Sequence, residues 1–209
     1  MAARLIGIGT GPGDPELLTL KAVRALAESR VLAYFAKRGR NGSARSIVAA
    51  HVRADVTELP LLYPVTVEVA RGDPAYARMI AAFFDECAES VAAHLAAGRT
   101  VAVLSEGDPL FYGSYMHLHV RLAGRYPSEI VPGISAMSGC WSALALPFAQ
   151  GEDVLTVLPG TLPEAELRRR IAESDACVII KLGRHLAKVR RAVEAAGRLE
   201  EALYVERGT

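Results

Sequence analysis

This chain of 209 residues is short of net charge, of cysteine and of long apolar runs, and each shortage excludes a class of protein. Its 24 lysines and arginines nearly cancel 23 aspartates and glutamates, leaving +1. No global field therefore points to nucleic acid or to a membrane surface. No apolar run reaches the roughly 18 residues of a spanning helix, and the N-terminus enters a strand-like run without a secretory signal pattern. The three cysteines, Cys87, Cys140 and Cys177, are odd in number and far apart. They read as reduced thiols packed as small hydrophobes, neither a disulfide frame nor a zinc cluster, and predict a cytoplasmic protein. At 51% hydrophobic and 22% charged residues the composition carries no disorder signature, and the length suits one large domain or two small ones.

Several common sites are missing as well. Gly7-Ile8-Gly9-Thr10-Gly11-Pro12 opens like a dinucleotide fingerprint, but proline stands where the third glycine belongs. The second predicted strand ends in Tyr34-Phe35-Ala36, without the acid that would hold a ribose, so a nicotinamide dehydrogenase is excluded. Ser135 lacks the glycine two residues on that an esterase elbow requires. His117 and His119, at i, i+2, lie on nearly opposite sides of a helix and cannot share a metal. His51, His94 and His185 are isolated and read as surface histidines, so no protein-bound metal is expected.

What is present is an alternation of strand and helix signals. Strands are predicted at Leu5–Gly9, Val31–Ala36, Val56–Leu62, Val101–Ser105 and Glu129–Val131. Between them lie a helix opening at Asp14-Pro15-Glu16, a short one over Ser46–Val52, a long one from Asp73-Pro74 towards Ala97, and one through Tyr115–Leu122. A small-residue helix then runs to Leu146. The pattern predicts an α/β fold with a mostly parallel sheet covered by helices. Pro147–Asp153 marks a boundary, giving an N-terminal α/β domain over 1–146 and a C-terminal α/β domain over 153–209. The second would hold strands at Val154–Leu158, Cys177–Leu182 and Leu203–Glu206 and helices at Pro163–Glu173 and Leu186–Ala196. It ends on its last strand and reads as truncated.

The tripeptide Gly-Asp-Pro occurs at 13–15, 72–74 and 107–109, the first and last copies closing strand-like runs. A glycine-lined bend at the carboxyl end of a parallel strand is where open α/β sheets place ligands. Capping alone explains the copy at Asp73, and it suffices for Asp14, whose loop can serve a ligand through glycine backbone. For Asp108, with Glu106 beside it, capping and ligand contact both stand. Ser135, in Pro132-Gly133-Ile134-Ser135-Ala136, caps a helix, binds a ligand, or does both. Lys37, Arg38, Arg40 and Arg45 crowd the loop after the second strand, on the same sheet edge, and suit a polycarboxylate. Arg168-Arg169-Arg170 reads as a solvated helix face, and Trp141 as core or interface.

Together these blocks resemble the cobalamin/sirohaem tetrapyrrole methylases. The stretch Gly9 to Ala22 is similar to their first signature, Val103 to Gly113 to the second, and Val131 to Ala136 to a third block. The resemblance covers the whole chain and implies two α/β domains meeting at a cleft that holds S-adenosylmethionine, in a homodimer. It implies cofactor contacts at Pro12, Glu106, Gly107, Asp108, Phe111, Ser135, Ala136, Leu182 and Gly208. Leu182 stands where the family has a sulfur contact, and Phe35 where uroporphyrinogen methyltransferases tend to carry an aspartate. Leu61 to Thr66, Tyr112 to His119 and Val205-Glu206-Arg207 most resemble the branch that methylates precorrin-2 at C-20. The resemblance then makes Tyr63 a substrate contact, with Lys37, Arg38 and Arg40 on the carboxylates of the small-molecule tetrapyrrole. The expected reaction gives precorrin-3A, with no residue acting as covalent nucleophile. Alternatives are a cobalt-factor II C-20 methyltransferase, another precorrin or uroporphyrinogen methylase, a methylase of RNA or diphthine precursor, or a non-catalytic cofactor-binding fragment.

Overall fold

Period-two burial divides the central strands between two cores. In a computed structural model that describes residues 3–64 and 74–209 (the backbone alone at Pro74), five strands form one parallel sheet. They are β1 (Leu5–Gly9), β2 (Val31–Ala36), β3 (Thr57–Leu62), β4 (Val101–Ser105) and β5 (Ser128–Val131), in the order β3-β2-β4-β1-β5. Parallel neighbours need crossovers, and the connections carry α1 (Leu20–Glu28), α2 (Ser43–Ile47), α3 (Pro74–Ala96) and α4 (Tyr115–Leu122). β1 and β4 are buried along their whole length, as their aliphatic composition requires at the centre of such a sheet. Leu5, Val31, Ala33, Val101 and Val103 face Phe83, Phe84 and Val91 of α3 and Tyr115, Leu118 and Leu122 of α4. Ile6, Ile8, Leu32, Ala102 and Leu104 face the other way, onto Ala22, Ala25 and Leu26 of α1 and Ala44 of α2. Each fully buried aliphatic side chain contributes about 1.5–3 kcal/mol, so these two layers dominate the stability of the sheet. Pro60 is tolerated in β3 because that strand is an edge.

The chain separates into two compact units, one running to Gly139 and including Thr209, the other Cys140–Gly208. α5 (Ala136–Leu144) crosses that division in sequence. The second unit pairs β6 (Leu155–Pro159) in parallel with β7 (Ala176–Ile180). Leu158, Leu167, Ile171, Val189, Ala192 and Val193 form its core with α6 (Glu164–Ala172) and α7 (Leu186–Ala195).

Three expectations are corrected. Asp14-Pro15-Glu16 opens only a 3-10 turn, with Asp14 accepting from the Glu16 amide at 2.8 Å. The first α-helix starts later, at Leu20, where the Thr19 hydroxyl accepts from the Ala22 amide and supplies the cap. The short helix expected over Ser46–Val52 is displaced to Ser43–Ile47, followed by a 3-10 turn at Ala49–His51. Leu203–Glu206 forms no strand: among the described residues the second sheet has two strands, and without a neighbour there to ladder against Leu203 is 62% and Tyr204 57% exposed. Gly72-Asp73, with the cap expected there, and Val65-Thr66 lie outside the described residues. Arg169 and Arg170 pair with Glu166 on the solvated face of α6, and Trp141 is half-buried, stacked on Phe148 at 5.2 Å.

Candidate functional site

Because β1 lies between β4 and β5, the loops leaving these three strands meet at one sheet edge. Each brings a glycine. A Cβ on Gly133 would stand 2.1 Å from the Gly107 carbonyl oxygen and 2.8 Å from Gly9 Cα, and one on Gly9 would stand 2.5 Å from the Gly133 nitrogen. All of these neighbours are backbone, so no larger residue fits without parting the strands. Gly11 (φ +77°) and Gly107 (φ +64°) are left-handed, a conformation glycine reaches without cost. They pair across the two loops, the Gly107 amide donating to the Gly11 carbonyl at 2.8 Å.

Asp108 ties this junction together. Its Oδ1 accepts from the Leu110 amide at 2.8 Å and its Oδ2 from the Gly133 amide at 3.2 Å, linking the β4 loop to the β5 loop. Ser135 caps α5, its Oγ accepting from the Ser138 amide at 3.3 Å. A Cβ on Gly107 would meet Ser135 Cα and the Ala136 nitrogen at ordinary contact distance. Pro12 packs on α5, so close that a Cβ on Gly139 would stand 2.9 Å from its Cγ. Phe111 is exposed, its ring edge-on to Tyr112. Pro12, Glu106, Gly107, Asp108, Phe111, Ser135 and Ala136 thus gather around one edge of the first unit. Leu182 and Gly208 belong to the second unit. There Leu182 packs against the core around Leu158, and Gly208 lies against Val205 and Cys140.

A cavity of about 450 Å³ opens in the first unit between the β1 turn (Pro12, Gly13) and Asn41 with Ser43 and Ser46 of α2, with Glu106 also on its wall. Glu106 is exposed and has no ion pair among the described residues. Asn41, Ser43 and Ser46 escaped sequence reasoning, because isolated small polar residues among loop cations carry no spacing pattern of their own.

The basic loop divides. Lys37, Arg38 and Arg40 are exposed, with no ion pair among the described residues. Arg45 corrects the expectation of four available cations. Its Nη2 and Nε donate to one Glu58 oxygen at 2.7 and 3.1 Å, while the Tyr34 hydroxyl donates to the other at 2.8 Å. The Arg45 guanidinium, then the Tyr34 hydroxyl, hold the Glu58 carboxyl below its usual range. Arg45 therefore clips α2 to β3.

Tyr63 packs its ring 5.0 Å from Phe83 and 5.6 Å from Phe35, and its hydroxyl bonds Ser114 Oγ. Burial pushes its pKa up, against the lowering effect of the Ser114 bond. Phe35 is thus part of an aromatic core. His117 stacks on Phe84 at 4.0 Å, and burial, then the Arg121 charge, lower its pKa. His119 Nδ1 lies 3.3 Å from the Tyr115 hydroxyl. The surface expectation is corrected for His51, His94 and His185, all of which are half-buried, and His94 Nδ1 is unpartnered among the described residues. Among those residues no group of three or more His, Cys, Asp or Glu is placed to hold a metal, and no helix is long and apolar enough to cross a membrane.

Known proteins of the same build place this geometry. The chain is 66% identical over 206 residues to a precorrin-2 C(20)-methyltransferase of Sinorhizobium sp, covering 99% of this chain and 84% of that protein. It is 28% identical over 212 residues to a cobalt-precorrin-2 C(20)-methyltransferase of Salmonella typhimurium, covering 100% of this chain and 85% of that protein. Uroporphyrin-III C-methyl transferase from Thermus thermophilus, solved in complex with S-adenyl homocysteine, superposes with a TM-score of 0.61 at 25% identity, covering 94% of this chain and 78% of that one. The family model of the Tetrapyrrole (Corrin/Porphyrin) Methylases matches residues 4–209. The chain belongs to the tetrapyrrole (corrin/porphyrin) methylases.

Proposed function

We propose that this chain is an S-adenosylmethionine-dependent C-methyltransferase that methylates precorrin-2 at C-20 in cobalamin biosynthesis. The observation that carries the reading is the 66% identity, over nearly the whole chain, with a protein named for that reaction. The residues at the glycine junction fit the cofactor. Backbone packed on backbone at Gly9, Gly107 and Gly133 fixes the peptide groups of the three strand-end loops in place. The unpaired Glu106 carboxylate on the cavity wall suits a ligand that carries positive charge. On this reading Pro12, Glu106, Gly107, Asp108, Phe111, Ser135 and Ala136 are the cofactor residues of the first unit.

When bound, S-adenosylmethionine supplies an electrophilic methyl on a sulfonium. The chain's own work is then to orient the two reactants and exclude water, effects worth up to about 7–11 kcal/mol. Asp108 contributes by holding the β4 and β5 loops in register through the Leu110 and Gly133 amides. Lys37, Arg38 and Arg40 hold peripheral carboxylates of the tetrapyrrole by charge. The active form is read as a homodimer, which light scattering of the purified chain tests as twice the monomer mass.

The deciding experiment incubates the protein with S-adenosylmethionine and precorrin-2, with and without cobalt in the macrocycle, and locates the new methyl by mass spectrometry and NMR. A methyl at C-20 of the metal-free substrate is expected. A methyl at another carbon, or turnover of the cobalt form alone, overturns the reading.

A further inference from the structure

The cavity beside the β1 turn has two chemically different walls, and the polar one belongs to neither of the groups of residues assigned above. Asn41, Ser43 and Ser46 line one side, while Pro12, Gly13 and Glu106 line the other. A second cavity of about 360 Å³ shares Asn41 and Ser46 and ends at Arg45 and Glu58. The Asn41 amide and the Ser43 hydroxyl make no hydrogen bond among the described residues, and Ser46 Oγ donates only a long bond of 3.4 Å to the Gly42 carbonyl. These exposed donors line one wall. Three unpaired cations, Lys37, Arg38 and Arg40, precede it on the same loop. Arg45, at the far end, is already paired with Glu58 through Nε and Nη2.

We propose that Asn41, Ser43 and Ser46 form a subsite for one peripheral carboxylate of the substrate. The proposal rests on the tetrapyrrole reading above. A carboxylate accepts several hydrogen bonds and so matches an amide and two hydroxyls. Glu106 repels the anion from the opposite wall, which fixes the end of the groove it occupies. At about 450 Å³ the cavity falls in the range of small-molecule sites and receives one edge of the macrocycle. Short neutral donors supply the geometry, and the cations on the same loop supply the field.

The test compares the full chain with the double variant Asn41→Ala/Ser43→Ala and with Ser43→Thr, which keeps a hydroxyl. The double variant is expected to raise KM for precorrin-2 roughly tenfold with kcat within about twofold, and to leave the S-adenosylmethionine Kd unchanged in calorimetry. Ser43→Thr is expected to stay within about twofold of the parent KM. An unchanged KM in the double variant, or an equal loss in cofactor affinity, overturns the subsite. Absorbance titration with uroporphyrin III, a stable polycarboxylate, separates the subsite from the reaction. If the parent binds it and the double variant binds it roughly tenfold more weakly, the subsite stands even where no C-20 methyl forms. Equal binding by both, or no binding by the parent, overturns it.

Discussion

Replacing Gly133 by alanine isolates what the glycine junction does. Gly133 is not in the left-handed region, so alanine is conformationally allowed there. The only obstacle is space: the new Cβ would lie 2.1 Å from the Gly107 carbonyl oxygen and 2.8 Å from Gly9 Cα. Side chains could rotate away, but these are backbone atoms held by the sheet. The ends of β1, β4 and β5 must therefore part. Parting them breaks the Asp108 bond to the Gly133 amide, a charge-assisted bond worth about 1.5–3 kcal/mol, and strains the Gly11–Gly107 pair, worth about 1 kcal/mol. Overpacking adds about 1–3 kcal/mol, so the total is about 3.5–7 kcal/mol, a large part of the 5–15 kcal/mol that holds a typical domain. The control is Gly98→Ala, where φ is +75° and nothing lies within 4 Å of the new Cβ. That change meets conformational strain alone, about 1–2 kcal/mol. Urea midpoints should place Gly133→Ala well below Gly98→Ala, and calorimetry should show S-adenosylmethionine binding lost in the first and kept in the second. If Gly98→Ala proves the more costly, backbone crowding is not what the junction glycine relieves, and the reasoning fails.

Three further outcomes follow from the side chains around the sheet. Glu58→Gln should cost about 1 kcal/mol at neutral pH, a figure reduced for the exposure of the Arg45 pair. Because the folded carboxyl titrates below 4.5, its contribution is complete above that value and fades as pH falls through the lower folded pKa; urea midpoints of variant and parent should draw together as pH falls below 4.5, and a gap that stays constant with pH refutes the pairing. Burial, then the Arg99 charge, lower the His94 pKa below 6.5, so the unfolded chain binds the proton more readily and stability falls as pH drops from 6.5. His94→Leu removes a buried nitrogen without a partner, and its stability between pH 7 and 5 should be flatter than the parent's; a steeper profile counts against it. The Cys87 thiol, pushed up to about 12 by burial and then by Glu86, should resist a thiol reagent in the native protein and react only in denaturant; rapid native labelling at Cys87, located by mass spectrometry, contradicts its burial.

Much of the α/β architecture was legible in the chain because parallel strands buried on both faces are rich in aliphatic residues with few polar ones, as Leu5–Gly9 and Val101–Ser105 are, Ser105 being their one polar side chain. The failures have one physical source, namely that a local signal says what a segment can do and not what it meets. Asp14-Pro15 carries a valid helix-start signal, yet a 3-10 turn satisfies it and Thr19 starts the helix. Leu203–Glu206 has the composition of a strand, but a strand exists only when a neighbour completes its ladder. Arg45 looked like one more cation on a basic loop because its partner, Glu58, sits 13 residues away on an adjacent strand. The candidate site shows the same division. Three loops each displayed a glycine at a strand end, and that much is readable from residue order. That Gly9, Gly107 and Gly133 pack against one another depends on β1 lying between β4 and β5, an order set by crossovers and invisible in any single motif. The two Gly-Asp-Pro copies at strand ends part company on the same ground. Asp14 caps its own turn at two residues' distance, whereas Asp108 reaches 25 residues ahead to the Gly133 amide. Asn in place of Asp108 should therefore disturb the β5 loop as well as its own, while Asn in place of Asp14 should stay local.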